Sequence, residues 1–368
     1  MTFITEPKTD RVGIESASSP DLLTIQALRA VAALLVVLGH ALGAWDERVE
    51  GLAPGVGWAN GASGVDIFFI ISGFVMVISS RGLRHQPVGW QIFLRRRIIR
   101  IVPLYWLLTT VKIVAVLLVS SVVLRTRLDF NLVAGSYLFL PVVDSGGHLR
   151  PVLPVGWTLT YEVIFYLLFA AALAVRVDVL RVTIPALGLM AAVALIRTEA
   201  WPAWTIIFNT IVLEFGVGVI LAKWFLQGGR LNPAISAGLV VAGFAAILLT
   251  PMVSENARPI TWGIPAFAIV AGAVSLEHLV GRSIPLWLRT LGDASYSLYL
   301  SHGFVLPTLV LLISKGRSPD LCTQILTIIL CLFVASGVGM ILFNWIENPL
   351  LWKMKHRWRL KVNQHRQA

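Results

Sequence analysis

The sequence predicts an all-α, polytopic integral membrane helical bundle of about ten transmembrane helices, and three observations carry that prediction. Of 368 residues, 57% are hydrophobic and 13% charged, about half the charged share of a soluble domain. Mean hydropathy is +0.80. A helical span needs about 20 mostly apolar residues, and ten stretches meet that need, near 22–45, 63–80, 100–123, 156–174, 180–196, 203–226, 234–252, 260–280, 294–313 and 321–346. The fifth is short, and "FNLVAGSYLFLPVV" at 130–143 reads as a re-entrant or surface helix rather than a further span.

The segments divide in chain order into a disordered cytoplasmic tail over 1–21, one transmembrane domain over 22–352 and a basic cytoplasmic tail over 353–368. The tail over 1–21 is polar and the apolar stretch after it is too long for a signal-peptide h-region, so the first helix is expected to stay as an anchor. Between spans the loops are brief, with basic runs "RRRIIR" at 95–100 and "KMKHRWRLK" at 353–361. A cytoplasmic N-terminus puts 20 of the 30 Lys and Arg on the cytoplasmic side and 8 outside, with Arg29 and Lys112 inside spans. Positive residues favour the cytoplasmic side, so both termini are expected there, as an even span count requires. The net charge of +11 reads as loop charge beside a bilayer, and no nucleic-acid partner is expected. Cys322 and Cys331 share one span, roughly 13 Å apart along a helix, too far to pair.

Two residues of the first span frame its chemistry. In "LRAVAALLVVLGHAL", Arg29 and His40 are eleven residues apart, which turns a helix about 20° past three full circles and rises roughly 16 Å. They share one face, Arg29 toward the cytoplasm and His40 toward the exterior. A snorkelling anchor accounts for the arginine alone and a packing hydrogen bond for the histidine alone, but polar residues within spans usually face the protein interior and mark a site. Depth then collects partners. Asp66 and Glu162 fall near the level of His40, and Arg97 and Arg100 near that of Arg29. The expectation is two layers. A cationic inner layer suits a polyphosphate, and a histidine beside a carboxylate suits general-base or nucleophilic work.

The fragments "RAVAALLVVLGH", "SGVDIFFIISGF", "RRRIIRIVPLYW", "GWTLTYEVIFY", "GDASYSLYLSH" and "IENP" occur in the order found in the membrane acyltransferase-3 family, which the chain resembles over roughly residues 21–352. Arg29 and His40 match the family's first-helix pair, and Arg97 and Arg100 its R-x-x-R. "GWTLTYEVIFY" is similar to the short exopolysaccharide-type members; the second glutamate of the longer W-S-L-S-V-E-E-Q-F-Y form is Val163 here, leaving Glu162 to act alone. The resemblance implies acyl-CoA, most often acetyl-CoA, as donor substrate, and a hydroxyl of a saccharide or lipid-linked glycan outside as acceptor. Arg29, Arg97 and Arg100 would bind acyl-CoA. His40 would deprotonate the hydroxyl or carry the acetyl group itself, with Glu162 or Asp66 fixing its tautomer. No permanent cofactor and no metal are expected. The implied setting is a bacterial inner membrane, with polysaccharide biosynthesis machinery as a further partner.

Other polar residues carry weaker expectations. His302 has a packing or an acceptor-pathway role, Tyr296 and Tyr299 pack rather than react, and Glu347 makes a structural or CoA-side contact at a cytoplasmic helix end. Lys112 and Glu214 both fall near mid-membrane, where a buried ion pair is the simple reading. His148 reads as a solvated loop histidine. A proton-coupled transporter or flippase for a lipid-linked saccharide is the alternative from another class; against it, no matching pair of interrupted spans is visible. A purely structural subunit would leave the intramembrane charges unexplained.

Overall fold

The computed structural model describes residues 22–52, 58–118, 128–143, 148–198, 200–251, 254–314 and 320–354. The tail over 1–21 and the basic segment from 355 onward lie outside them. The protein is a polytopic helical membrane bundle. Among the described residues, nine helices are long and apolar enough to cross a bilayer, and Pro233–Leu249 is a shorter apolar one.

In chain order the helices are α1 Leu23–Arg48, α2 Gly64–Ser79, α3 Gly89–Leu118, α4 Phe130–Tyr137, α5 Trp157–Ala174, α6 Val179–Ile196, α7 Leu213–Leu226, α8 Pro233–Leu249, α9 Ile264–Val280, α10 Leu286–Asp293, α11 Ser295–Ser314 and α12 Leu321–Leu342. Helix α4 occupies the stretch expected as a partial span. Its eight residues rise about 12 Å, too little to cross, and Asp129 caps it by accepting from Leu132 N at 2.9 Å. Cys322 and Cys331 are both free.

One boundary differs in a way that matters for the site. The sequence starts the third span at 100, treating the basic run as loop, whereas α3 begins at Gly89. Arg97 and Arg100 therefore lie about 12 and 16 Å inside the helix at 1.5 Å per residue.

Helix α1 is central, contacting α2, α9, α10, α11 and α12. Its N-cap residue Leu22 offers no side-chain cap. Glu277 of α9 supplies one from across the fold, accepting from Leu23 N at 3.0 Å and Thr24 N at 2.8 Å. A carboxylate there also complements the positive end of the helix dipole, so α1 is fixed in depth. Helices α2 and α7 approach backbone to backbone at reciprocal glycines. A Cβ at Gly73 would stand 2.1 Å from Phe215 O, and one at Gly218 would stand 2.1 Å from Ile70 O. Close to these, Phe215 stacks on Phe69 at 4.2 Å and on Phe165 at 4.7 Å, tying α5 to the same core.

Candidate active site

Helices α1, α2, α3, α5 and α11 enclose a cavity of about 150 Å³. Its walls are mainly apolar, yet Arg29, Arg97, Arg100 and Glu162 all reach it. Arg29 Nη1 donates to Gln26 Oε1 at 3.3 Å. From α3, Arg97 and Arg100 are three residues apart and so share a face. Arg97 Nη2 donates to Ser79 Oγ at 2.6 Å, and its buried Nε finds no acceptor among the described residues. Arg100 lies 3.6 Å from Glu347 Oε1, while Ser297 Oγ donates to Oε2 of the same carboxylate at 2.6 Å. Three guanidinium groups against Glu162 in the wall and Glu347 behind leave positive charge and unused donors, an arrangement suited to an anion with several oxygens.

Tyr299 links this cavity to the histidines. It lines the cavity, its hydroxyl donates to Val155 O at 3.1 Å, and its ring lies 5.9 Å from that of His302. The rings of His302 and His40 are in turn 4.9 Å apart and tilted by 51°. His302 is completely buried. His40 is exposed, although its helix is the central one, so it faces an opening in the bundle. Gly43, nearly one turn above His40, and Gly303, next to His302, have open space where an added Cβ would stand. The Nδ1 atoms are held alike: His40 Nδ1 is 2.9 Å from Val36 O and His302 Nδ1 is 3.4 Å from Leu298 O. A carbonyl only accepts, so each Nδ1 carries the proton and each Nε2 presents a lone pair. An accessible imidazole with a free Nε2 can act as base or nucleophile.

Several sequence expectations are corrected by this geometry. Asp66, expected beside His40, is fully buried against Arg258, whose Nη2 donates to its Oδ2 at 2.8 Å and whose Nε donates to its Oδ1 at 3.1 Å. Periodicity along α2 does not give its direction around the helix axis. Glu162, also expected to orient His40, accepts from Ser72 Oγ at 3.3 Å and from the Tyr166 hydroxyl and lines the arginine cavity. A turn over Pro154–Gly156 precedes α5 and α3 starts early, and Glu162 shares one cavity with Arg29, Arg97 and Arg100 instead of standing in a separate layer. The tautomer of His40 is fixed by its own helix backbone. Lys112 and Glu214 do not pair: Lys112 Nζ lies 5.9 Å from the Phe304 ring centroid, while both Glu214 oxygens are buried without a hydrogen-bond partner among the described residues.

Tyr296, placed in the packing class, lines the cavity and donates to Ile101 O at 2.7 Å. Glu347, expected to make a structural or CoA-side contact, pairs with Arg100 and accepts from Ser297 Oγ. His148 is exposed. Sequence reasoning missed Arg258, Ser72, Tyr166 and Ser297. Arg258 had a signal: a buried Asp66 needs a cation, and Arg258 opens a span at the same level. Tyr166, four residues after Glu162, sits at helical contact spacing. Ser72 and Ser297 carry none.

The acyltransferase domain family model matches residues 22–346. The chain is 31% identical over 303 residues to the exopolysaccharide production protein ExoZ of Rhizobium meliloti, covering 79% of this chain and 90% of that one. It is 25% identical over 363 residues to the peptidoglycan O-acetyltransferase OatA of Listeria monocytogenes, covering 89% of this chain and 55% of the longer relative. Acyltransferase MdmB of Streptomyces mycarofaciens is 28% identical over 283 residues, or 67% and 68% of the two chains. No solved structure matches.

Proposed function

The chain belongs to the acyltransferase domain family, and from that premise we propose that it moves an acetyl group from cytoplasmic acetyl-CoA to a hydroxyl of a saccharide or lipid-linked glycan across a bacterial inner membrane. The observation that carries this reading is the arginine-lined cavity joined through Tyr299 to an accessible histidine with a free Nε2. Arg97, Arg100 and Arg29 hold the donor's phosphates, and the pantetheine arm reaches past Tyr299 toward His40. His40 Nε2 takes the proton of the acceptor hydroxyl as the oxygen attacks the thioester. Glu162 and Glu347 keep the three arginines oriented when the donor is absent. The loop-charge asymmetry supports cytoplasmic termini and a cytoplasmic donor face. The exopolysaccharide and peptidoglycan relatives support a glycan acceptor.

The test uses purified protein in dodecyl maltoside with acetyl-CoA radiolabelled in its acetyl group. The detergent's sugar hydroxyls and water serve as acceptors. Wild type is expected to form labelled maltoside ester or free acetate, and His40→Ala to form neither while keeping its elution volume and melting temperature. Acetyl-CoA left intact by wild type favours the transporter reading. Full transfer by His40→Ala removes His40 from the chemistry.

A further inference from the structure

Among the described residues no carboxylate contacts His40, yet a base inside a bundle needs somewhere to stabilise the proton it takes. Asp66 is committed to Arg258, and Glu162 to Ser72 and Tyr166. The group that does meet the His40 ring is His302, at 4.9 Å between centroids. His302 Nε2 is buried and has no hydrogen-bond partner among the described residues. Buried polar atoms without partners are rare in folded proteins, and each one calls for an explanation. Here Nδ1 of each ring bonds to the carbonyl four residues back on its own helix, so both rings are locked in the tautomer that leaves Nε2 as an acceptor.

We infer that His302 is the proton partner of His40: its orphaned Nε2 accepts a hydrogen bond from the His40 imidazolium during transfer. This rests on the reading of His40 as base. As the acceptor oxygen bonds to the acetyl carbon, the hydroxyl proton passes to His40 Nε2, and His302 shares it. The carbon–sulfur bond then breaks, and the proton leaves on the departing thiolate. An ester and CoA thiol result, and both imidazoles return to neutral. The other polar groups near the pair do not compete for this role, since Tyr299 donates to Val155 O and Lys112 lies over Phe304.

Two variants separate this role from packing. His302→Phe keeps an aromatic ring but offers no acceptor; His302→Gln is smaller in ring contact but offers a carbonyl oxygen near the Nε2 position. In the dodecyl maltoside assay, kcat should fall about 100-fold in His302→Phe, within the range of general-base effects, and less than about tenfold in His302→Gln. KM for acetyl-CoA should stay unchanged in both, because His302 does not line the donor cavity. Wild-type activity in His302→Phe, or a larger loss in His302→Gln than in His302→Phe, overturns the inference. Should His302→Phe fail to fold, His302→Leu takes its place, and a loss of kcat no greater than that of His302→Gln overturns the dyad. Transfer retained by His40→Ala would instead sink the underlying assignment of His40.

Discussion

Arg97 and Arg100 reach one cavity from one face of α3, but they are not equally free. Arg100 is shared with Glu347 at 3.6 Å, whereas Arg97 keeps a buried Nε without an acceptor among the described residues. Loss of either fork should weaken donor binding. With a charge-assisted hydrogen bond worth about 1.5–3 kcal/mol, each alanine variant should raise KM for acetyl-CoA about 10- to 150-fold, with the larger effect for Arg97→Ala. Initial rates against acetyl-CoA concentration check this, and an unchanged KM would make both arginines structural. Residue types within spans are legible in the sequence, which is why Arg29, Arg97, Arg100 and Glu162 stand out there, although Glu162 is expected at the level of His40 and Tyr296 only to pack. Azimuth is not legible there. Asp66 and Glu162 stand in spans that each have several neighbours, and periodicity within one helix cannot say which neighbour a side chain meets. The His40–His302 contact is hidden for the same reason, lying 262 residues apart in the chain.

At the scale of elements, nine of the ten apolar stretches correspond to described helices long enough to cross a bilayer, and the stretch at 234–252 to the shorter Pro233–Leu249, because hydrocarbon imposes a length on a span. The start of α3 did not emerge from the sequence, because a run of arginines looks like a loop until there is a cavity and a Ser79 hydroxyl for it to face. Helix ends are held by polar contacts distant in sequence, which no local pattern reveals. Asp178 is such a contact. It caps α6 by accepting from Leu180 N at 3.0 Å, accepts from Lys223 Nζ of α7 at 2.6 Å, and lies 3.7 Å from Arg84 Nη1 in the α2–α3 connection. Burial pushes its carboxyl up, but the Lys223 and Leu180 hydrogen bonds and the nearby cations outweigh it and hold it below the ordinary carboxylate value. A depressed carboxyl stabilises the fold above the ordinary value, and that contribution is lost as pH falls through the depressed one. Asp178→Ala, expected to cost about 0.5–2 kcal/mol as a lost cap, should therefore lower the melting temperature at neutral pH, with the gap from wild type closing on acidification. A gap that stays constant into the acid range would leave the ion pairs without a role.

For the whole molecule, the arrangement raises a question of sidedness. The arginine cavity reaches Tyr299, whose ring lies 5.9 Å from that of His302, and His302 in turn meets the exposed His40. A donor entering from the arginine side and an acceptor arriving at His40 would meet inside the bundle without either crossing the lipid. CoA is too polar to cross unaided, and in the proposed function it is received at the cytoplasmic face, toward which the loop charges are biased. In sealed inside-out vesicles, acetyl-CoA in the bath should label saccharide trapped in the lumen, and right-side-out vesicles given the same bath donor should not. Arg29 refines the test, because it lines the cavity on the helix that also carries His40. Arg29→Ala should lower lumenal labelling, and Arg29→Lys, which keeps the charge but loses the planar fork, should retain part of it. Equal labelling of bath and lumenal saccharide by bath acetyl-CoA would refute vectorial transfer while leaving the acyltransferase chemistry intact.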